Sequence, residues 1–337
     1  MSILFETLGF AARSAIVFVT FAACVVVFVQ ALRGRRDARS EGRLEVRLLN
    51  ERLDASAQLL REASLSPADL KAEQKRFRKA KKVQLPREKN VYLIDFKGDV
   101  MASAVEQLRE EITALLSVVK PADRVIVRLE SPGGAAHSYG LAASQLARIR
   151  ERKVPLTVCV DRVAASGGYM MACVADEIVA APFSIVGSIG VAAPVPNAHR
   201  LLQRHGVDYE TATAGRHKRT VTFFGANTDE GRQKFQEQLD ETHELFKGFV
   251  QRYRPRLDVD AVATGEYWHA LRGYELGLVD RLATSDDVLA ELGEKADIVE
   301  LHFRTRQSVR TRMLASAGAM VERAVEAAWS RLQTPML

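Results

Sequence analysis

Between residues 91 and 252 the chain alternates short apolar runs with longer stretches of helical periodicity, and this restricts the fold more than any other feature. Val91 to Phe96, Arg124 to Leu129, Leu156 to Val160 and Glu177 to Ala181 read as buried strands, being short and rich in branched aliphatic residues. Ser103 to Val118 carries Val105, Leu108, Ile112 and Leu115 at helical spacing, and His137 to Arg150 and Gly167 to Ala175 read as further helices. Strands separated by helices imply a parallel sheet covered on both faces. A helix from Asn197 to His205, a strand from Val207 to Thr211 and a long amphipathic helix from Asp229 to Arg252 are expected next. The stripe Phe235, Leu239, Leu245 and Phe249 on that last helix reads, like Tyr267, Trp268 and Leu278, as core or subunit contact rather than substrate contact. At 337 residues and 47% apolar content, the chain can hold one α/β domain with extensions.

Within this alternation, Ala165-Ser166-Gly167-Gly168 places a lone serine between a strand and an apolar helix. A serine hydroxyl is a weak nucleophile, and a helix N-terminus beside glycines gives it exposure and nearby N–H donors. Ser166 is therefore the candidate nucleophile and Gly167 one oxyanion donor. Glu130-Ser131-Pro132-Gly133-Gly134 breaks the strand that ends at Leu129, and Gly133 is the expected second donor. A base is available in Lys218, 52 residues after Ser166 and in a polar loop. A lysine accepts a proton only when neutral, which demands burial, with Arg216 and Arg219 as electrostatic helpers. Histidine is the competing base, because seven are present and His199, His205 or His217 with Asp208 could build a triad. No His-x-x-x-His or cysteine pair has metal-ligand spacing, and Gly187-Ser188-Ile189-Gly190 is too short for a phosphate loop, so neither metal nor cofactor is expected.

The motifs Leu129 to Gly134, Val163 to Ala172, Ile185 to Gly190 and Ala214 to Thr220 resemble, in order and spacing, the SppA/SohB signal peptide peptidases, most closely the SohB type. The resemblance covers about residues 90 to 295. It implies a ClpP/crotonase-type spiral of ββα units, assembly into a membrane-attached homo-oligomer, and a dyad of Ser166 and Lys218 with Ser188 holding the lysine. It also implies hydrolysis of signal peptide remnants or unfolded polypeptides through an acyl-enzyme. Val163, Ile185 and Val186 are expected to line the substrate pocket. Two rivals from other classes are a crotonase-type acyl-CoA enzyme, which CoA binding would reveal, and a catalytically silent membrane scaffold, which would keep its biological activity without Ser166.

Four regions are expected: an N-terminal segment 1–32, a linker 33–89, the catalytic domain 90–295 and a C-terminal extension 296–337. Ser14 to Leu32 holds 19 residues without a charge, bracketed by Arg13 and Arg33, close to the roughly 20 needed to span a bilayer. It lacks an Ala-x-Ala exit and reads as a single transmembrane helix, which the family resemblance implies lies in the bacterial inner membrane. Arg33, Arg35, Arg36 and Arg39 favour a cytoplasmic catalytic domain, whereas the family resemblance implies a periplasmic one. Cys24, Cys159 and Cys173 form no disulfide framework. The net charge of +6 is local: Lys71 to Lys89 holds nine basic residues against two acidic ones. That distribution suits a solvated helical linker or contact with anionic headgroups and excludes a broad nucleic-acid face. Thr311 to Leu332 carries Leu314, Ala317, Val321, Ala324, Ala328 and Leu332 at helical spacing, as a partner or interfacial helix would.

Overall fold

The computed structural model describes residues 42–66, 68–72, 75 and 89–305. The expected membrane-spanning helix 14–32 and amphipathic helix 311–332, with most of the basic run, lie outside the described residues. Among the described residues, no helix is long and apolar enough to cross a membrane. Leu44–Phe303 forms one compact unit; the other, residues 1–43 with 304–337, falls almost wholly outside the described part.

In chain order the elements are β1 (Gly42–Leu48), α1 (Leu49–Ser64), β2 (Asn90–Lys97), α2 (Val105–Leu116), β3 (Arg124–Glu130), α3 (Ala136–Glu151), β4 (Leu156–Val160) and β5 (Val163–Ala165). There follow α4 (Gly167–Ala172), β6 (Glu177–Ala180), β7 (Ile185–Gly187), α5 (His199–Arg204), α6 (Asp229–Tyr253) and α7 (Val259–Val262). β8 (Tyr267–His269), α8 (Ala270–Glu275), β9 (Arg281–Leu282), α9 (Ser285–Gly293) and β10 (Asp297–Thr305) complete the described chain. Seven strands form the main sheet in the order β1-β10-β2-β3-β4-β6-β9, and every pairing from β10 to β9 is parallel. β5, β7 and β8 form a second sheet, β5 parallel to β7 and β7 antiparallel to β8. The chain is thus a mixed α/β protein with a large parallel sheet, as the alternation predicts, and β4, β5 and α4 follow one another as a ββα unit.

The strands are apolar on both faces because helices cover both. Tyr92, Ile94 and Phe96 of β2 and Val125, Val127 and Leu129 of β3 share a core with Leu108, Ile112 and Leu115 of α2 and Leu146 and Ile149 of α3. The alternate residues Val91, Leu93, Ile126, Val179 and Ile298 pack with Leu49 of α1 and Val288 and Leu289 of α9. Each such aliphatic side chain contributes about 1.5–3 kcal/mol on full burial, so the core on either face stabilises the sheet.

Three sequence expectations differ from the structure. Val207 to Thr211 forms no strand: every residue from Gln203 to Arg219 is exposed, and a run that pairs with none of the described strands has nothing to bury. The first part of the stretch read as a charged linker contains β1 and α1. Asn50 at the start of α1 donates to the carbonyls of Gly293 and Ala296 at 3.1 and 3.2 Å and accepts the Ile298 N–H at 2.7 Å, tying α1 to α9 and β10. β10 follows the expected domain boundary at 295 yet lies inside the sheet beside β2.

Candidate active site

The carboxyl ends of the parallel strands lead into three loops that meet: residues 98–104 after β2, 131–135 after β3 and the short β5 after β4. Ser131 bridges Ala164, its N–H donating to the Val163 carbonyl at 2.8 Å while its carbonyl accepts the Ala165 N–H at 3.0 Å. Ser166 comes next, at the N-cap of α4, with φ +51° and ψ −118°. A serine at an N-cap ordinarily adopts extended backbone and uses its hydroxyl to cap the helix. Here the backbone sits at positive φ, which costs a non-glycine residue about 1–3 kcal/mol, and the side chain makes no capping bond. The hydroxyl is left available for chemistry. Two backbone bonds hold the strained residue: its N–H donates to the Gly187 carbonyl at 2.8 Å and its carbonyl accepts from Met170 N–H at 2.9 Å.

Glycine is required on either side of this residue. Gly133 has φ +90°, and a Cβ there would lie 2.6 Å from Ser166 Cβ. A Cβ on Gly167 would lie 2.3 Å from the ring of Tyr139, which is fully buried beneath it. Tyr139 also terminates a chain of hydrogen bonds whose directions follow from the available protons. Its hydroxyl donates to the Asp99 carbonyl at 2.8 Å, so at 2.6 Å it accepts from Ser131 Oγ, which in turn accepts the Gly133 N–H at 3.1 Å. This chain joins the 98–104 loop to the 131–135 loop, and Ala135 N–H adds a bond to the Val100 carbonyl at 2.8 Å.

Ser166, Gly167, Ser188 and Gly134 line one cavity of about 540 Å³, walled further by Val100, Met170, Thr242 and Phe246. Ser188, like Ser166, has positive φ, +52°, and its N–H donates to the Glu266 carbonyl at 2.7 Å. Of the expected site residues, the structure therefore brings Ser166, Gly167 and Ser188 together, with Gly133 packed against Ser166. Gly133 spends its N–H on Ser131, whereas Gly134 lies on the cavity wall. Val186 is fully buried in the core, and Val163 and Ile185 are half-buried; none of the three lines the cavity. Lys218 does not line it either, being exposed in a turn whose bond from Lys218 N–H to the Gly215 carbonyl measures 3.1 Å. The rival triad residues do not line it either: His199 bonds the Phe224 carbonyl at 3.3 Å, and His205, His217 and Asp208 are exposed. Thr242 and Phe246 escaped the sequence reading because only the packing of α6 against α4 reveals which face of that helix meets the serine.

Comparison with known proteins decides the family. A model described as "Peptidase family S49" matches residues 148–299, and one described as "Peptidase family S49 N-terminal" matches residues 2–146. The chain is 48% identical over 283 residues to "Probable protease SohB" of Haemophilus influenzae, covering 80% of each chain. This chain belongs to peptidase family S49. A "Probable protease SohB" of Buchnera aphidicola subsp. Schlechtendalia chinensis is 55% identical over 199 residues, 59% of this chain and 65% of its own. The "Protease 4" of Salmonella typhi is more distant, 28% identical over 239 residues, 68% of this chain and 37% of its own. The S49 matches together include Ser166, Ser188 and Lys218 in the first region and Gly133 and Gly134 in the second. In this S49 peptidase the buried thiols are unsuited to nucleophilic work: burial pushes Cys159 up to about 12 and moves Cys173 in the same direction.

Proposed function

We propose that this S49 peptidase is a serine endopeptidase with Ser166 as nucleophile and Lys218 as general base, built on a ClpP/crotonase-type spiral. The observation that carries the reading is Ser166 itself, uncapped at positive φ and opening into a cavity it shares with Ser188. A lysine serves as a base only where burial favours the neutral amine, and Lys218 is exposed in the single chain. The reading therefore requires assembly: Lys218 of one copy enters the cavity of a neighbour, is desolvated there, and is held by that neighbour's Ser188.

In the first half-reaction the Lys218 amine takes the Ser166 proton as Oγ attacks the peptide carbonyl. The N–H groups of Gly134 and Gly167 stabilise the oxyanion. The C–N bond then breaks and the ammonium returns the proton to the leaving amine. Water deprotonated by the same amine attacks the acyl-enzyme, the ester C–O bond breaks, and Ser166 recovers its proton. Met170 and Phe246 on the cavity wall suit small or apolar side chains. The proposed substrates are signal peptide remnants or unfolded polypeptides, bound as extended strands. Residues 14–32 would anchor the chain in the inner membrane as a homo-oligomer that uses no cofactor. The test is peptide hydrolysis by the full chain in detergent: Ser166→Ala and Lys218→Ala should each lower kcat by about 10³-fold or more. Unchanged rates in either variant would overturn the assignment.

A further inference from the structure

The long helix α6 presents two faces. Phe246 and Val250 are buried against the domain, while Glu241, Glu244, Leu245, Gly248, Phe249 and Arg252 line a shallow outer groove of about 670 Å³. Leu245 is 70% exposed there, a large apolar side chain with none of the described residues covering it. Gly248 opens the groove beside it, since a Cβ at that position would meet no atom within 4 Å. Glu241, Leu245, Gly248 and Arg252 follow one another at spacings of four, three and four, the spacing of a seam between two helices.

The charge pattern states which helix fits. From Gln236 to Phe246 there are four acidic residues and no lysine or arginine, and from Lys247 to Arg256 there are four basic residues and no acidic one. Lys247 and Arg254 are already satisfied, by Glu244 and Asp260 and by Asp280. Glu241 and Arg252 form no ion pair among the described residues, Arg252 resting 5.7 Å over the Tyr253 ring. An antiparallel copy of the same helix lays its acidic half on this helix's basic half, and its dipole opposes this one.

We propose that α6 is a two-fold interface at which it packs antiparallel against α6 of a second copy of this chain. Glu241 of each copy faces Arg252 of the other, and Leu245 of each fills the opening at Gly248 of the other. One register satisfies both pairs at once, because the steps from 241 to 245 and from 248 to 252 are equal. The contact is isologous and closes at two copies. It is separate from the Lys218 segment and does not depend on the catalytic reading. Thr242 and Phe246 stay on the cavity side of the helix, so pairing leaves the cavity open.

The test uses full-length chains in detergent. Glu241→Arg and Arg252→Glu each set like charges opposite one another twice in a homodimer, and each should weaken association through this face by about tenfold. A heterodimer of the two variants again sets opposite charges at both contacts, the guanidinium groups coming from one chain and the carboxylates from the other. The mixture should therefore recover wild-type association. An effect within one chain could not be rescued by mixing. To read this face alone, Leu245→Cys in one chain and Gly248→Cys in the other should form an intermolecular disulfide under mild oxidation. That disulfide should be lost when both chains also carry Glu241→Arg and regained when one carries Glu241→Arg and the other Arg252→Glu. No disulfide in the otherwise wild-type pair, or one indifferent to the charge changes, would overturn the proposal.

Discussion

The cavity wall and the segment that carries Lys218 are built in opposite ways. Around Ser166 the chain is fixed from below, by the buried Tyr139 ring, the Gly133 N–H to Ser131 to Tyr139 to Asp99 hydrogen-bond chain, and backbone bonds between loops that leave different strands. The segment from Asn197 to Asn227 is tied mainly to itself. Asn197 donates to the carbonyls of Thr222 and Gly225 at 2.9 and 3.0 Å, and Tyr209, Phe223 and Phe224 form a small aromatic cluster on the surface. Its connections to α6 include an exposed ion pair between Arg216 and Glu230, a kind of contact worth at most about 1 kcal/mol. The proposed nucleophile is thus pre-organised within one chain, whereas the proposed base, Lys218, rides on an exposed segment.

The sharpest way to break this contrast is a matched pair of glycine substitutions. Gly133→Ala combines positive φ with a 2.6 Å clash against Ser166 Cβ, and should cost about 3 kcal/mol or more and abolish hydrolysis. Gly215 also has positive φ, +95°, but with open space around it; Gly215→Ala should cost only about 1 kcal/mol. Denaturant unfolding and peptide hydrolysis of both variants check the pair, and equal effects would refute the contrast.

Titration gives the next effect. Glu111 on α2 is buried at the sheet and accepts the Phe303 N–H at 2.7 Å; burial first, then Asp95 nearby, raise its pKa to about 7 from an ordinary 4.5. The folded state therefore holds this proton more tightly than the unfolded chain. Stability from this group is full below about pH 4.5, falls as pH rises through about 7, and is lost above it, by up to about 3 kcal/mol. Glu111→Gln should stabilise the protein at pH 8 and flatten that slope in urea unfolding, without changing the pH profile of catalysis.

Tyr139→Phe keeps the ring under Gly167 and removes the hydroxyl that accepts from Ser131. Stranding that buried donor should cost about 1–3 kcal/mol. Because the 131–135 loop is loosened, kcat should fall while KM for a short peptide stays near the wild-type value. A pure stability loss with unchanged kcat would show that the loop does not need the chain of bonds.

Much of the fold was legible because the strands are buried on both faces and so read as unbroken apolar runs. Leu156 to Val160 is a strand with the same bounds in sequence and structure, and Arg124 to Leu129 differs by one residue. The three-residue strands β5, β7 and β8 are too short to show a period, and the bounds and pairing of all three became visible only in the structure. Val207 to Thr211 carries strand-forming residues, but propensity decides little where the segment stays exposed and unpaired among the described strands. In the site, the serine and its glycines announced themselves by local spacing. That Gly133 commits its N–H to Ser131 did not, because it turns on where the Ser131 hydroxyl points. Nor could the sequence tell that Lys218 stays off the cavity wall, since no local pattern encodes where an exposed turn sits relative to a distant cavity.

The central claim, a base delivered between copies, is tested most directly by co-expressing Ser166→Ala and Lys218→Ala full-length chains and measuring peptide hydrolysis at varied ratios. Each variant alone should be inactive, and the mixed assembly should hydrolyse peptide, most at equal proportions, because some cavities then combine an intact serine with a neighbour's intact lysine. Mixed assemblies that form yet stay inactive at every ratio would contradict the account.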